Sequence, residues 1–135
     1  MAIGFSPAWA PQLRSILRIV AGLMFMLHGA QKILGFPDPG AKLPSGAPPL
    51  IKASGLIELV CGALIAVGLL TSIAAILAAG EMAVAYFKVH AANGFWPTLN
   101  QGELAVLYCF VFLYLAFAGP GPWSLDALFF RRRRP

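Results

Sequence analysis

Residues 50–92 read LIKASGLIELVCGALIAVGLLTSIAAILAAGEMAVAYFKVHAA, and this stretch decides the fold class. It is apolar over most of its length, and Thr71-Ser72 is the polar break between its two halves. A helix needs about 20 mainly apolar residues to cross a bilayer. The stretch therefore predicts two spans, at about 50–70 and 72–92, that form a tight antiparallel hairpin with Thr71 as a helix N-cap.

Two more apolar stretches flank this hairpin, at about 13–34 and 101–118. The Pro- and Gly-rich segment Gly119–Pro122 ends the last of them. Residues 124–130 then predict a short helix on the membrane surface, with Ser124 as its N-cap. The sequence thus predicts an all-α fold: a four-helix transmembrane bundle with a short interfacial C-terminal helix, forming a single transmembrane domain over residues 1–135.

The composition agrees with this fold class. The chain is 59% hydrophobic and only 11% charged, and its mean hydropathy is +0.79. These values are typical of membrane proteins and not of soluble domains. Cys61 and Cys109 are isolated within apolar helix patterns, which favours core packing and excludes thiol oxidoreductases that need a vicinal pair. No residue spacing suggests a metal site.

The basic residues predict the orientation in the membrane. The chain carries a net charge of +5, with six arginines near its two ends and Lys42, Lys52 and Lys88 on the opposite side. This asymmetry places both termini in the cytoplasm and favours lipid over nucleic acid as the partner of the basic clusters. We expect a multi-pass protein of the bacterial cytoplasmic (inner) membrane. The predicted topology anchors are Arg14, Arg18, Arg131, Arg132, Arg133 and Arg134.

Three glutamates locate the predicted functional site. Glu58, Glu81 and Glu103 lie in or beside three different spans, in a chain with only five acidic residues. A carboxylate at the bilayer centre costs roughly 2.5–3.5 kcal/mol on insertion scales, so such residues commonly mark functional sites. Helical spacing predicts that they meet other polar groups inside the bundle. The candidate ligand pocket comprises His28, Gln31, Lys32, Glu58, Glu81 and Glu103, with an aromatic lining of Phe25, Phe110 and Tyr114.

Small residues beside the carboxylates support close helix packing. Gly55 and Gly62 share the helix face of Glu58, which lets a neighbouring helix approach closely. The same features have a purely structural interpretation, because buried ion pairs can fix helix register without binding a ligand.

Six short motifs follow one another along nearly the whole chain: Leu17–Gly22, Met26–Phe36, Gly55–Glu58, Gly68–Thr71, Asn100–Leu104 and Gly119–Asp126. In this order they resemble the DoxX family of small membrane proteins. The resemblance implies a four-helix bundle of the inner membrane in a redox and quinone setting, because the family takes its name from a subunit associated with a quinone-linked oxidoreductase of sulfur metabolism. Glu81 departs from the family pattern, as does the neutral turn at Thr71-Ser72. The family-like polar positions are Arg18, His28, Lys32, Glu58, Glu103 and Asp126.

Three functions remain open at this point. The first is a membrane subunit of a redox system that interacts with quinone or quinol through the pocket, as an accessory subunit of an oxidoreductase and not an enzyme acting alone. The second is a non-catalytic assembly subunit that binds other membrane subunits through its small-residue faces. The third is a small proton-coupled exporter.

The first function also predicts the ligands and partners. Quinone is the candidate cofactor, bound without a covalent link. Haem is not expected, because His28 and His90 lie at different depths on their spans. The expected partners are the lipid bilayer together with other membrane or redox subunits, or a second copy of the chain.

Overall fold

The computed structural model describes residues 7–130, and every regular element in this range is helical. Short 3₁₀ segments precede the first helix and follow the first and third. The third helix continues beyond its α-helical part as one π-helical stretch, Tyr86–His90. The α-helices are α1 (Ala10–Leu34), α2 (Pro49–Val67), α3 (Thr71–Ala85), α4 (Pro97–Asn100), α5 (Glu103–Ala118) and α6 (Leu125–Phe129).

Three helical segments are long and apolar enough to cross a bilayer, and the chain is a membrane protein. A fourth apolar helix, α5, has 16 residues. It begins at Glu103 and not at the predicted 101, because Gln101 adopts a positive φ of 60° that ends the preceding short helix. The three spanning segments are Pro7–Leu34, Pro49–Val67 and Thr71–Asn93.

Glycines allow α1 and α2 to pack with their backbones in close contact. A Cβ atom at Gly22 would lie 2.6 Å from the backbone nitrogen of Ala66, and one at Gly62 would lie 2.5 Å from that of Met26. A Cβ at Gly55 would press on side chains of α1. The close approach predicted for Gly55 and Gly62 is confirmed, and it is made within this chain.

The second helix pair consists of α3 and α5. Small alanines make up most of the buried face of α3, and α5 contributes larger buried side chains. Phe25 of α1 connects the two pairs, since its ring lies 5.3 Å from that of Tyr108 and 4.8 Å from that of Phe112. The core therefore runs between the α1–α2 pair and the α3–α5 pair.

Arg18 has a different role from the predicted topology anchor. Its side chain is fully buried, with 0% exposure. Nη1 donates to the carbonyl oxygens of Ile65 and Ala66, both at 2.6 Å, and Nε donates to Pro120 at 2.8 Å. Nη2 donates to the carbonyl of Trp123. The guanidinium thus joins α1 to the end of α2 and to the segment after α5, and does not face lipid headgroups.

The structure describes one of the other predicted topology anchors. Arg14, one turn before Arg18, is partly exposed, and its buried Nε makes no hydrogen bond to residues 7–130. Arg131, Arg132, Arg133 and Arg134 lie outside the described residues.

The prediction that Thr71 caps α3 was wrong. Thr71 is the first residue of the helix, and the carboxylate of Asp126 provides the cap by accepting the backbone N–H groups of Leu70 and Thr71 at 2.8 and 2.9 Å. These two bonds hold Leu70 in a left-handed conformation with φ of 50°, which is uncommon for a residue other than glycine. At α6, Ser124 accepts the N–H of Ala127 at 3.1 Å.

Candidate functional site

A cavity of about 670 Å³ lies among α1, α2, α3 and α5, near the ends of these helices that are remote from Arg18. Its walls are mostly apolar, and a few polar side chains project into it. Leu77 and Val84 of α3 belong to the lining and are also exposed on the outside of the helices. The cavity therefore reaches the apolar surface of the protein.

Hydrogen bonds connect Lys32, Glu58, Ser54 and Glu81 along the cavity wall, and we call these four residues the polar chain. Lys32 Nζ lies 2.8 Å from Glu58 Oε1, in the one ion pair found within residues 7–130. The same ammonium donates to Ser54 Oγ at 3.2 Å, and Ser54 donates to Glu81 Oε1 at 2.7 Å. Two carboxylates from different helices are thus joined to one lysine.

Each carboxylate of the polar chain uses only one of its oxygens in these bonds. Oε2 of Glu58 and Oε2 of Glu81 are buried and make no hydrogen bond with any described residue. The hydroxyl of Tyr108, on α5, is also buried and makes no hydrogen bond with any described residue. Glu58 itself is only 4% exposed. Because buried polar groups normally have partners, three such atoms around one cavity indicate a place for a polar ligand group.

The aromatic wall of the cavity consists of Phe25, His28 and Tyr108. The ring of His28 meets that of Tyr108 edge to face, with centroids 6.2 Å apart. Phe25 is fully buried and contacts the other side of Tyr108. These rings offer both flat and edge contacts to a ligand ring.

The structure brings some of the predicted site residues together and excludes others. Phe25, His28, Lys32, Glu58 and Glu81 all line the cavity. The excluded residues are Gln31, Glu103, Phe110 and Tyr114.

The excluded residues of α5 lie on its outer face. Glu103, Phe110 and Tyr114 are exposed, the two aromatic residues by 64% and 52%. The opposite face of α5, with Tyr108 and Phe112, is buried. After its first turn α5 is apolar around its whole circumference, so the sequence did not show which face points inward.

Sequence reasoning missed Ser54 and Tyr108. Ser54 lies four residues before Glu58, which places the two on one helix face and could have identified it. Tyr108 is a hydroxyl-bearing residue in the middle of an apolar span, and such a hydroxyl usually needs a partner when buried.

Within residues 7–130, no three His, Cys, Asp or Glu side chains lie close enough together to hold a metal ion. Cys61 and Cys109 are both free thiols.

The fold and the cavity define a small helical membrane protein with a polar site enclosed by its helices. The chain belongs to the DoxX family, whose model matches residues 13–91. It is 44% identical over 129 residues to an uncharacterised protein of Haemophilus influenzae, covering 92% of this chain and 96% of that relative. It is 30% identical over 144 residues to an uncharacterised membrane protein of Mycobacterium tuberculosis, covering 90% and 88%. No solved structure gives a significant match.

Proposed function

We propose that this protein is a membrane subunit of a redox system and that its cavity binds the headgroup of a quinone or quinol. One observation supports this most directly: a hydrogen-bonded chain of Lys32, Ser54, Glu58 and Glu81 lies inside a mostly apolar cavity. A quinone headgroup needs this combination, because its ring is apolar while its two oxygens form hydrogen bonds and exchange protons.

The size and position of the cavity suit such a ligand. Ligand pockets commonly have volumes of about 300–1,000 Å³, and this cavity falls within that range. Leu77 and Val84 line the cavity and are exposed apolar residues that would face the acyl chains. A headgroup could thus enter from the bilayer while its hydrocarbon tail stays in lipid. Phe25 and Tyr108 would contact the ring.

The polar chain also provides a route for protons. Reduction of a quinone to a quinol takes up two electrons and two protons, and oxidation releases them; the electrons would be exchanged with a redox-active partner subunit. Glu58 and Glu81 can each hold or release a proton, and Ser54 joins Glu81 to Lys32 by hydrogen bonds. His28, which lines the same cavity, is a second group able to exchange protons.

The proposal includes a specific arrangement in the membrane. We take α5 as a fourth span, because it packs along α3 and carries exposed apolar side chains on its other face. Its 16 residues rise about 24 Å, slightly less than the hydrocarbon thickness. Both termini would lie in the cytoplasm of a bacterial cell, with α6 at the surface of the inner membrane.

Two glycines that the assembly alternative would use are already covered within the chain. Gly55 and Gly62 are covered by α1 of the same chain, so they do not present a small-residue surface to another subunit. Enlarging either glycine is expected to disturb the α1–α2 pair itself. No observation of the structure favours the exporter.

Binding of decylubiquinone to the purified full chain tests the proposed function. The protein in lipid nanodiscs is heated with and without the probe at a fixed ratio of probe to lipid, and unfolding is followed by circular dichroism. Bound ligand raises the unfolding temperature. We expect the rise in the wild-type protein and a smaller rise in two variants. His28→Ala removes a donor, and Glu58→Gln removes the ion pair that holds the Lys32 ammonium at the cavity wall.

Glu103→Gln is the matched control, because it makes the same chemical change at an exposed glutamate outside the cavity. Mass spectrometry of quinones retained after mild extraction provides an independent measurement. The proposal fails if neither quinone nor quinol stabilises the wild-type protein. It also fails if both cavity variants respond as the wild type does.

A further inference from the structure

We infer that the cavity selects the reduced, hydroxyl-bearing form of its ligand, a lipophilic hydroquinone, over the corresponding quinone. This inference rests on the proposed function and adds to it the redox form that the site recognises. It depends on which hydrogen-bonding atoms the cavity leaves unpaired.

The unpaired atoms are mainly acceptors. Oε2 of Glu58 and Oε2 of Glu81 are buried without a partner in the described part of the chain, and an ionised carboxylate can only accept hydrogen bonds. The hydroxyl of Tyr108 can donate or accept. These atoms belong to residues of α2, α3 and α5 that line the cavity.

The donors beside the two carboxylates are largely in use. Lys32 already donates to Glu58 at 2.8 Å and to Ser54 at 3.2 Å. Ser54 donates its hydroxyl proton to Glu81. Besides the remaining N–H of Lys32, the lining offers Tyr108 and His28 as donors and, on the segment between α3 and α5, Lys88, His90 and Gln101.

A quinone and a hydroquinone match these free donors and acceptors differently. A quinone carries two carbonyl oxygens, which only accept hydrogen bonds and would leave a carboxylate oxygen without a donor. A hydroquinone carries two hydroxyls on opposite sides of its ring, each able to donate to a carboxylate on a different wall. Hydrogen bonds to charged acceptors are stronger than those between neutral groups.

The charges of the polar chain also favour a ligand that donates hydrogen bonds. One ammonium serves two carboxylates, and Glu81 has only the neutral Ser54 as a direct partner. A ligand hydroxyl would give Glu81 a second donor and reduce the cost of keeping this charge away from water. A carbonyl oxygen in the same place would meet the carboxylate with like partial charge.

The test compares three probes with the same decyl tail: decylubiquinol, decylubiquinone and the dimethyl ether of decylubiquinol. The ether has the ring shape of the quinol without its donors. Binding to the full chain in nanodiscs is titrated under anaerobic conditions, with empty nanodiscs to subtract partition into lipid. We expect the quinol to bind at least about tenfold more tightly than the other two probes, as one retained charged hydrogen bond implies.

Two variants show whether the carboxylate causes the preference. Glu81→Gln keeps an oxygen for Ser54 and replaces the free acceptor by an N–H donor, so the quinol-to-quinone ratio should fall to about one or below. Tyr108→Phe, which keeps the acceptors, should retain the preference. Glu103→Gln should leave the ratio of the wild type unchanged.

The outcomes separate this inference from the proposed function. If quinone binds as tightly as quinol, or if Glu81→Gln folds and keeps the wild-type ratio, the inference is overturned while quinone binding itself stands. If no probe binds, both are overturned. Should Glu81→Gln fail to fold, the comparison of quinol with its ether in the wild-type protein and in Tyr108→Phe decides the inference, and equal binding of the two probes overturns it.

Discussion

Replacing Arg18 by methionine tests whether the buried guanidinium holds the C-terminal segment to the bundle. Methionine fills the space of the aliphatic stem and removes every donor. The wild-type side chain donates to four backbone carbonyls and has no exposed surface. The expected result is a large loss of stability together with release of the segment after α5.

The size of the effect follows from the carbonyls left behind. Among residues 7–130, Arg18 is the one donor to the carbonyl oxygens of Ala66, Pro120 and Trp123. The fourth carbonyl, that of Ile65, also accepts a backbone N–H. A fully buried carbonyl without a partner costs about 1–3 kcal/mol, so about 3–9 kcal/mol is the upper bound for these three, which are only partly buried. Relaxation and water reaching this end of the bundle reduce the cost, so we expect about 3–5 kcal/mol.

Unfolding by SDS in mixed micelles measures this loss. Circular dichroism follows the helices, and tryptophan fluorescence follows Trp123 in a background in which Trp9 and Trp96 are replaced by phenylalanine. Arg14→Met is the matched control, since Arg14 lies one turn earlier, is partly exposed, and makes no hydrogen bond through its Nε to the described residues. It should change stability by less than about 1 kcal/mol. If the two variants differ by less than about 0.5 kcal/mol, the hydrogen bonds of Arg18 do not stabilise the fold as argued.

The same SDS titration checks three further predictions. Asp126→Ala should cost about 1–2 kcal/mol, because it removes the cap of α3, and a neutral result would contradict the capping role. Gly29→Ala should cost about 1–3 kcal/mol or more, because its Cβ would overlap the α2 backbone. Gly80→Ala has open space around it and should stabilise α3 by about 0.5–1 kcal/mol. Equal effects of the two substitutions would refute this packing argument. Lys32→Met should cost about 2–3 kcal/mol, since it leaves the buried carboxylate of Glu58 without its partner. Adding Glu58→Gln should restore most of the lost stability. A double variant no more stable than Lys32→Met would argue against the ion pair.

Much of the helical fold could be predicted because it depends on local properties of the sequence. Length and apolar composition located the spans, and the prolines and glycines located their ends. The small residues beside Glu58 also indicated close packing, since Gly55 and Gly62 share its helix face. These signals require no knowledge of which helix lies beside which.

The contacts of Arg18 and Asp126 could not be predicted in the same way. Each joins segments far apart in the chain, and the partners of Arg18 are backbone carbonyls, which no side-chain pattern shows. Thr71 looked like a cap from its local sequence, but Asp126 takes that position in the folded chain. A tertiary contact thus replaced the local one.

The candidate site was predictable where the helix carried polar residues on one face. His28 and Lys32 on α1 are four residues apart, so their common direction followed from spacing alone. Beyond Glu103, α5 offered no such signal, and Phe110 and Tyr114 were assigned to the wrong face. Only packing against α3 and Phe25 decides that Tyr108 points inward.

The buried charged side chains at the two ends of the bundle differ in how completely the fold satisfies them, although Arg14 Nε and Thr71 Oγ1 at the Arg18 end also lack a partner among residues 7–130. Arg18 uses its donors on backbone carbonyls, and Asp126 uses both oxygens on backbone N–H groups. Glu58 and Glu81 each keep a buried oxygen without a partner among the described residues, although leaving an acceptor of this kind unpaired is costly. Apolar residues of similar size could have filled these places at little cost to stability. Since folding alone gives no reason to keep two half-satisfied carboxylates, their presence around one cavity argues that a ligand completes their hydrogen bonds.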